Sequence, residues 1–255
     1  MISCDDGNIN VPSFDFSDAT INDCGEIVLF KINGNETLII ELGQSGIDEN
    51  FLTQERNDNF ILSETGSNTI TYRTFDTAPT AGYFCQNIPP TTPTIINEWN
   101  GSGTLTIITI LTEDDEDTIE EDPNSSLDTD GDSFPNFKDW DDDNDGVPTK
   151  DEGATDDTDG DGILNYLDDD DDGDGVPTLE ESITNDEDSD GIVDYLDSGT
   201  TSLNVRILVP NQYQEIYETS FAIDFLKLTN VNDNTIQFDF FDYGVTIKKV
   251  TITEN

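Results

Sequence analysis

Five times between Asp128 and Asp197 the chain sets aspartates at alternate positions and closes a twelve-residue window with a further acid. The first window holds Asp128, Asp130, Asp132 and, at position 12, Asp139; the second holds Asp141, Asp143, Asp145 and Glu152. The third holds Asp157, Asp159, Asp161 and Asp168, and the fourth Asp170, Asp172, Asp174 and Glu181. The fifth holds Asp186, Asp188, Asp190 and Asp197. Position 6 is Gly146, Gly162, Gly175 or Gly191, with Ser133 in the first window. First residues step by 13, 16, 13 and 16, so the repeating unit is a pair of windows 29 residues long. Odd windows carry Asn136, Asn165 or Asp194 at position 9, followed by Phe137, Tyr166 or Tyr195; both even windows read Asp-Gly-Val-Pro-Thr. A dense run of like charge with few apolar residues cannot bury a core, and by default it stays solvated and disordered. Two alternating classes of window with constant internal offsets argue against that default.

The spacing suits calcium. The ion takes six to eight oxygens at about 2.3–2.6 Å, and a loop can supply carboxylates from positions 1, 3, 5 and 12, a carbonyl from position 7 and a turning glycine at position 6. Position 7 is Phe134, Val147, Ile163, Val176 or Ile192, so an apolar side chain can pack on a neighbouring loop while its carbonyl faces the ion. Magnesium wants a tighter octahedron and retains its waters, so crowded carboxylates favour calcium, about five ions in all. Helices cannot flank these loops as in an EF-hand, because one residue separates Asp139 from Asp141 and four separate Glu152 from Asp157. The tandem pattern resembles thrombospondin type-3 repeats. That resemblance implies calcium-filled loops strung together with little regular secondary structure. An upstream run, Glu113, Asp115 and Asp117, has Thr118 where glycine belongs, and reads as a linker or a decayed loop.

Charge is concentrated in this segment. Of 58 acids and 9 bases in the chain, 36 acids and 2 bases fall between Glu113 and Asp197, which leaves 22 and 7 elsewhere, a balance of −15. Nucleic acid is excluded as a partner, since it takes clustered Lys and Arg. Histidine is absent, which removes Ser-His and Cys-His catalysis and every His-containing zinc site.

Met1-Ile2-Ser3-Cys4 has the form of the end of a lipobox, with Cys4 as the lipidated residue. The charged and apolar parts of a signal peptide do not precede it, so the start is expected to be truncated or mis-set. Cys4 followed by Asp5 and Asp6 resembles the acidic export signal of Bacteroidota surface lipoproteins. Cys24 and Cys85 then remain as an even pair in an oxidising compartment, either disulfide-bonded or as two buried thiols. A bond there would close a loop of about 60 residues and contribute roughly 4 kcal/mol.

The flanks are β-patterned. Glu26–Ile32, Asn33-Gly34 and Thr37–Leu42 read as a hairpin, with further strands at Thr69–Phe75 and Gly103–Thr112. Downstream strands fall at Asn204–Val209, Phe221–Leu228, Thr235–Phe241 and Val245–Ile252, either as a separate sheet or completing the first. Phe238 and Phe240 share one face of a strand and Phe241 and Tyr243 the other, in the core or as a stacking platform for a sugar. The expected fold is mainly β: a lipobox and tether at 1–19, an antiparallel β-sandwich at 20–112 and an acidic linker at 113–127. Calcium repeats follow at 128–197, then C-terminal antiparallel β strands at 203–255.

The expected function is a lipid-anchored, surface-exposed outer-membrane protein. It would be a calcium-stiffened binding or structural subunit whose partners are outer-membrane proteins of a multi-subunit complex for β-barrel assembly, export or nutrient uptake. The repeats are expected to act as a spacer joining two β bodies. One alternative is a carbohydrate-binding or adhesin surface protein with a glycan partner. Another is a two-carboxylate glycosidase, which needs no histidine. No catalytic signature stands in the flanks, and the expectation is that the protein is not an enzyme.

Overall fold

The computed structural model describes residues 14–25, 28–43, 50–86, 88, 90–200, 202–204 and 206–254. The lipidation candidate Cys4 lies outside them. Eight antiparallel strands form one sheet curled into a half-barrel. They are β1 (Asn22–Cys24), β2 (Val28–Asn33), β3 (Glu36–Leu42), β4 (Arg56–Leu62), β5 (Asn68–Phe75), β6 (Ile95–Asp114), β7 (Asn211–Asn230) and β8 (Thr235–Glu254). The order is β1-β2-β3-β5-β6-β7-β8, with β4 on β6. The mainly β, antiparallel expectation holds, and the choice left open by the sequence resolves: the C-terminal strands continue the N-terminal sheet. The acidic segment leaves β6 and returns into β7, its neighbour. It is an excursion within one sheet, not a spacer joining two β bodies.

Alternation explains most strands, and covering explains the exceptions. Leu29, Leu38, Ile40, Tyr72, Leu105 and Phe221 belong to one buried cluster, each contributing about 1.5–3 kcal/mol by burial. Phe30 and Phe75 are buried as well, with Phe30 4.6 Å from Phe84 and Phe75 5.2 Å from Tyr83, ring centre to ring centre. The turn Ala81–Tyr83 and the residues after it thus cap these strands, so β2 and β3 read as almost continuous apolar runs. Cys24 and Cys85 stand at disulfide distance, Cα to Cα 5.3 Å, and tie that cap to β1.

Three details differ from the patterning. Asn204–Val209 forms no strand among its described residues; the Asn204 N–H instead donates to the Glu180 carbonyl at 2.7 Å. Thr235–Phe241 and Val245–Ile252 are one strand, β8, with Gly244 taken in stride at φ 114°. The aromatics of β8 do not pair as alternation predicts. Tyr243 is buried, Phe238 and Phe241 pack on the same core, and Phe240 is 60% exposed. Asp239 and Phe240 are both exposed, so the inward-facing positions change parity between Phe238 and Phe241. β7 switches in the same way at Asp224 and Phe225, where Phe225 has φ 54°. The Tyr243 hydroxyl lies 3.1 Å from the carbonyl oxygens of both Leu29 and Leu38, a core role that leaves no four-ring platform.

The chain divides into two compact units: residues up to Ile110 with Tyr217–Lys248, and Leu111–Ile216 with residues from Lys249 on. The ends of β6, β7 and β8 belong to the second unit, with the repeats. There Asn211 fastens the repeats to the start of β7: its Nδ2 donates to the Lys138 carbonyl at 2.9 Å, and its Oδ1 accepts from the Trp140 N–H at 3.0 Å.

Candidate metal centre

Each window folds by the same hydrogen bonds, which its residue types dictate. The N–H at position 5 donates to the position 3 carboxylate, as Asp145 to Asp143 Oδ1 at 3.1 Å and Asp161 to Asp159 Oδ1 at 2.9 Å. The N–H at position 7 donates to the position 5 carboxylate, as Val147 to Asp145 Oδ1 at 2.6 Å and Ile192 to Asp190 Oδ1 at 2.9 Å. At positions 3 and 5 one oxygen of each aspartate thus bends the backbone, whereas at position 1 Asp128 and Asp186 commit both oxygens to backbone N–H groups. Position 6 is left-handed in every window, from φ 86° at Gly146 to 101° at Gly191, and Ser133 is held at 89° without glycine's freedom. Position 4 is left-handed too, at Gly131, Asn144, Gly160, Gly173 and Ser189, a second turn that the sequence reading passed over.

Position 9 is a staple. The Thr129 N–H donates to Asn136 Oδ1 at 3.0 Å, the Thr158 N–H to Asn165 Oδ1 at 2.9 Å and the Glu187 N–H to Asp194 Oδ1 at 2.8 Å. In the even windows Thr149 and Thr178 take this part, accepting at Oγ1 from the N–H groups of Asp142 and Asp171 at 3.0 and 3.1 Å. These five side chains are all buried. Position 7 behaves unevenly: Val147 is buried, whereas Ile163 and Ile192 are each 45% exposed, so packing on a neighbouring loop does not extend to them.

The carboxylates converge. In the first four windows the aspartates at positions 1, 3 and 5 bring one oxygen each to within 4.8 Å of one another. Position 12 turns toward its own triad: Asp139 feels the charges of Asp132 and Asp130, and Glu181 those of Asp172, Asp174 and Asp170. The fifth window keeps the same internal bonds, with Gly191 N–H to Asp186 Oδ2 at 3.0 Å. Glu152 does more than its spacing implied. With Asp145 it meets Asp171, at position 2 of the fourth window, in a buried triad that joins two windows. Asp171 and Asp142, its counterpart in the second window, were not in the sequence-derived ligand set; the signal was an acid at position 2 of both even windows.

Burial without partners defines the chemistry. Glu152, Asp171, Asp142 and Glu181 are at most 6% exposed, and neither carboxylate oxygen of any of them has a hydrogen-bond partner. Burial, reinforced by neighbouring carboxylates, pushes Glu152 up to about 11, Asp142 to about 9 and Asp171 to about 8. Asp143 is raised by the same causes, burial first and then Asp145. An uncompensated buried carboxylate is too costly to stay ionised, so each must hold a proton or meet a cation. These acidic clusters could hold metal ions, and an all-oxygen donor set suits a hard cation such as calcium. Arg206 supplies fixed positive charge close by: its guanidinium donates to the carbonyls of Asp145 and Thr178 at 2.7 Å and of Gly146 at 3.0 Å.

No helix among the described residues is long and apolar enough to cross a membrane. The chain matches no family model, no curated protein and no solved structure.

Proposed function

We propose that this is a calcium-ordered structural or binding protein of the outer-membrane surface, held there by lipid on Cys4 and serving as a subunit of a multi-protein complex. The observation that carries the calcium reading is the set of buried carboxylate oxygens without hydrogen-bond partners on Asp141, Asp143, Asp145 and Glu152 of the second window and on Asp170, Asp172 and Glu181 of the fourth. In this reading Asp141, Asp143, Asp145 and Glu152 hold an ion together with the Val147 carbonyl. Corresponding residues serve the other windows. Calcium supplies the countercharge; the protein supplies Asx turns, left-handed residues and position 9 staples that hold the oxygens where an ion would bind them. The role is structural, because the aspartates at positions 3 and 5 each commit one oxygen to the backbone of their own loop. Membrane attachment rests on the Ser3-Cys4-Asp5-Asp6 stretch.

Calorimetric titration of chelator-treated protein tests the first part, with expected affinities of about 10⁻⁴–10⁻³ M, the range of extracellular calcium modules. Absence of saturable binding would end the calcium reading. For the second part, the protein is recovered from detergent-solubilised outer membranes. Co-isolating barrel proteins support the subunit role, and glycan capture without them would favour an adhesin.

A further inference from the structure

The run before the first window has the same loop architecture as the windows themselves. The Asp117 N–H donates to Asp115 Oδ1 at 2.9 Å, and the Ile119 N–H donates to Asp117 Oδ1 at 2.7 Å. Glu116 and Thr118 are left-handed at φ 61° and 86°, matching positions 4 and 6 of a window. This is no slack linker. Loop geometry alone would not make it a cation site, because Asx turns of this kind form without one.

The decisive feature is Asp142. Its side chain is 1% exposed and neither carboxylate oxygen has a hydrogen-bond partner. The charges acting on it most strongly are those of Glu121, Asp117 and Asp115, ahead of Asp139. Asp115 and Asp117 are 5% and 2% exposed, and each keeps one buried oxygen, Oδ2, without a partner. Several buried carboxylates with spare lone pairs and no donor face one another here.

The 29-residue repeat supplies the comparison. Moving Asp142 forward by one repeat gives Asp171, which meets Asp145 and Glu152 in the buried triad. Moving Tyr166 forward gives Tyr195. Tyr166 feels the charges of Asp142, Glu121 and Asp117, just as Tyr195 feels those of Asp171, Glu152 and Asp145. The two clusters correspond by one repeat at Asp142 and Tyr166, the earlier one taking its other acids from outside the repeats.

From this geometry we infer that Asp115, Asp117, Glu121 and Asp142 form an additional divalent-cation site that clamps the end of β6 to the second window. The inference rests on the calcium reading of the windows. Its occupant is a hard cation taken up by four carboxylates, with calcium as the probe.

Native mass spectrometry of the full chain in calcium counts bound ions for wild type, D117N, E121Q and the double variant. Each single change should lower the count by one, and the double variant also by one, because both residues serve the same ion. D117N combined with Asp159→Asn should lose two. An unchanged count, a loss of more than one ion in a single variant, or additive losses in the double variant would overturn the assignment while leaving the window sites intact. A wild-type chain that binds no calcium would overturn the calcium reading and this site with it.

Discussion

Glu152 and Asp171 carry an electrostatic problem that only a proton or a cation solves. In the metal-free fold their carboxyls titrate near 11 and 8, pushed up by burial and then by neighbouring acids. In an unfolded chain they would titrate near 4. Between those values the folded form binds more protons than the unfolded form, so the metal-free repeats lose stability as pH rises from about 4. Calcium reverses the trend, because it replaces the protons. Binding should therefore release protons, and affinity should rise between pH 5 and 8. Calorimetry at pH 6.5 in buffers of different ionisation enthalpy should show net release; a buffer-independent enthalpy would contradict it. Backbone strain acts on the same scale. Ser133 holds φ 89° without glycine's freedom, a conformation that costs about 1–2 kcal/mol. Ser133→Gly should tighten the first site by about tenfold, one factor of ten being about 1.4 kcal/mol. Gly175→Val forces a β-branched residue to φ 95° and should weaken the fourth site by at least as much. Affinities that do not move in either variant would place the strain elsewhere.

At the scale of the element, a window is a loop closed by its position 9 side chain. Thr149→Val keeps the shape and removes the acceptor for the buried Asp142 N–H, at a cost of about 1–3 kcal/mol. Thr178→Val should do the same to the fourth window. Amide exchange at Asp142 or Asp171 should rise only in the corresponding variant; equal protection in both would show that the staple contributes nothing. In the sheet, β6 passes its neighbours so closely that a methyl group on Gly101 would come within 2.5 Å of Ile70 Cγ2 and 2.7 Å of Leu228 Cδ2. Gly101→Ala should therefore destabilise the sheet by about 1–3 kcal/mol in denaturant unfolding, as overpacking does. These constraints were differently legible. The aspartate periodicity announced the loops, whereas Gly101 is one glycine in an unexceptional strand, and its role exists only once β5 and β7 lie on either side of it.

At the scale of the whole molecule, the acidic excursion and the sheet have separate sources of order. Burial of apolar side chains holds the sheet; the repeats contain few such residues and 36 of the chain's 58 acids fall in and just before them. Chelation should leave amide protection in β2, β3 and β5 nearly unchanged and lower it across 128–197, the more so as pH rises. Hydrogen exchange with and without chelator checks this directly. Protection lost equally in both regions would mean that the sheet depends on bound metal for its own stability.

The sequence by itself determined the chemistry of this protein. Alternate aspartates, a turn residue at position 6 and a closing acid fix which oxygens a loop can offer, because an Asx turn needs only neighbours two residues apart. Apolar runs about the Asn33-Gly34 turn likewise marked β2 and β3, and alternation marked β5, whose core-facing residues recur locally. Tertiary structure decided what those local rules leave free. Whether β7 and β8 joined the first sheet depended on pairing across the whole acidic excursion, and no local pattern encodes a partner strand. Phe240 faces outward because the buried positions of β8 change parity between Phe238 and Phe241, which a strict period of two does not foresee. Asp142 and Asp171 became cluster members through contacts with acids 19 to 27 residues away in sequence. An acid at position 2 is a solvated charge when its loop is considered alone. It becomes a buried charge in need of a cation only when another loop is folded over it.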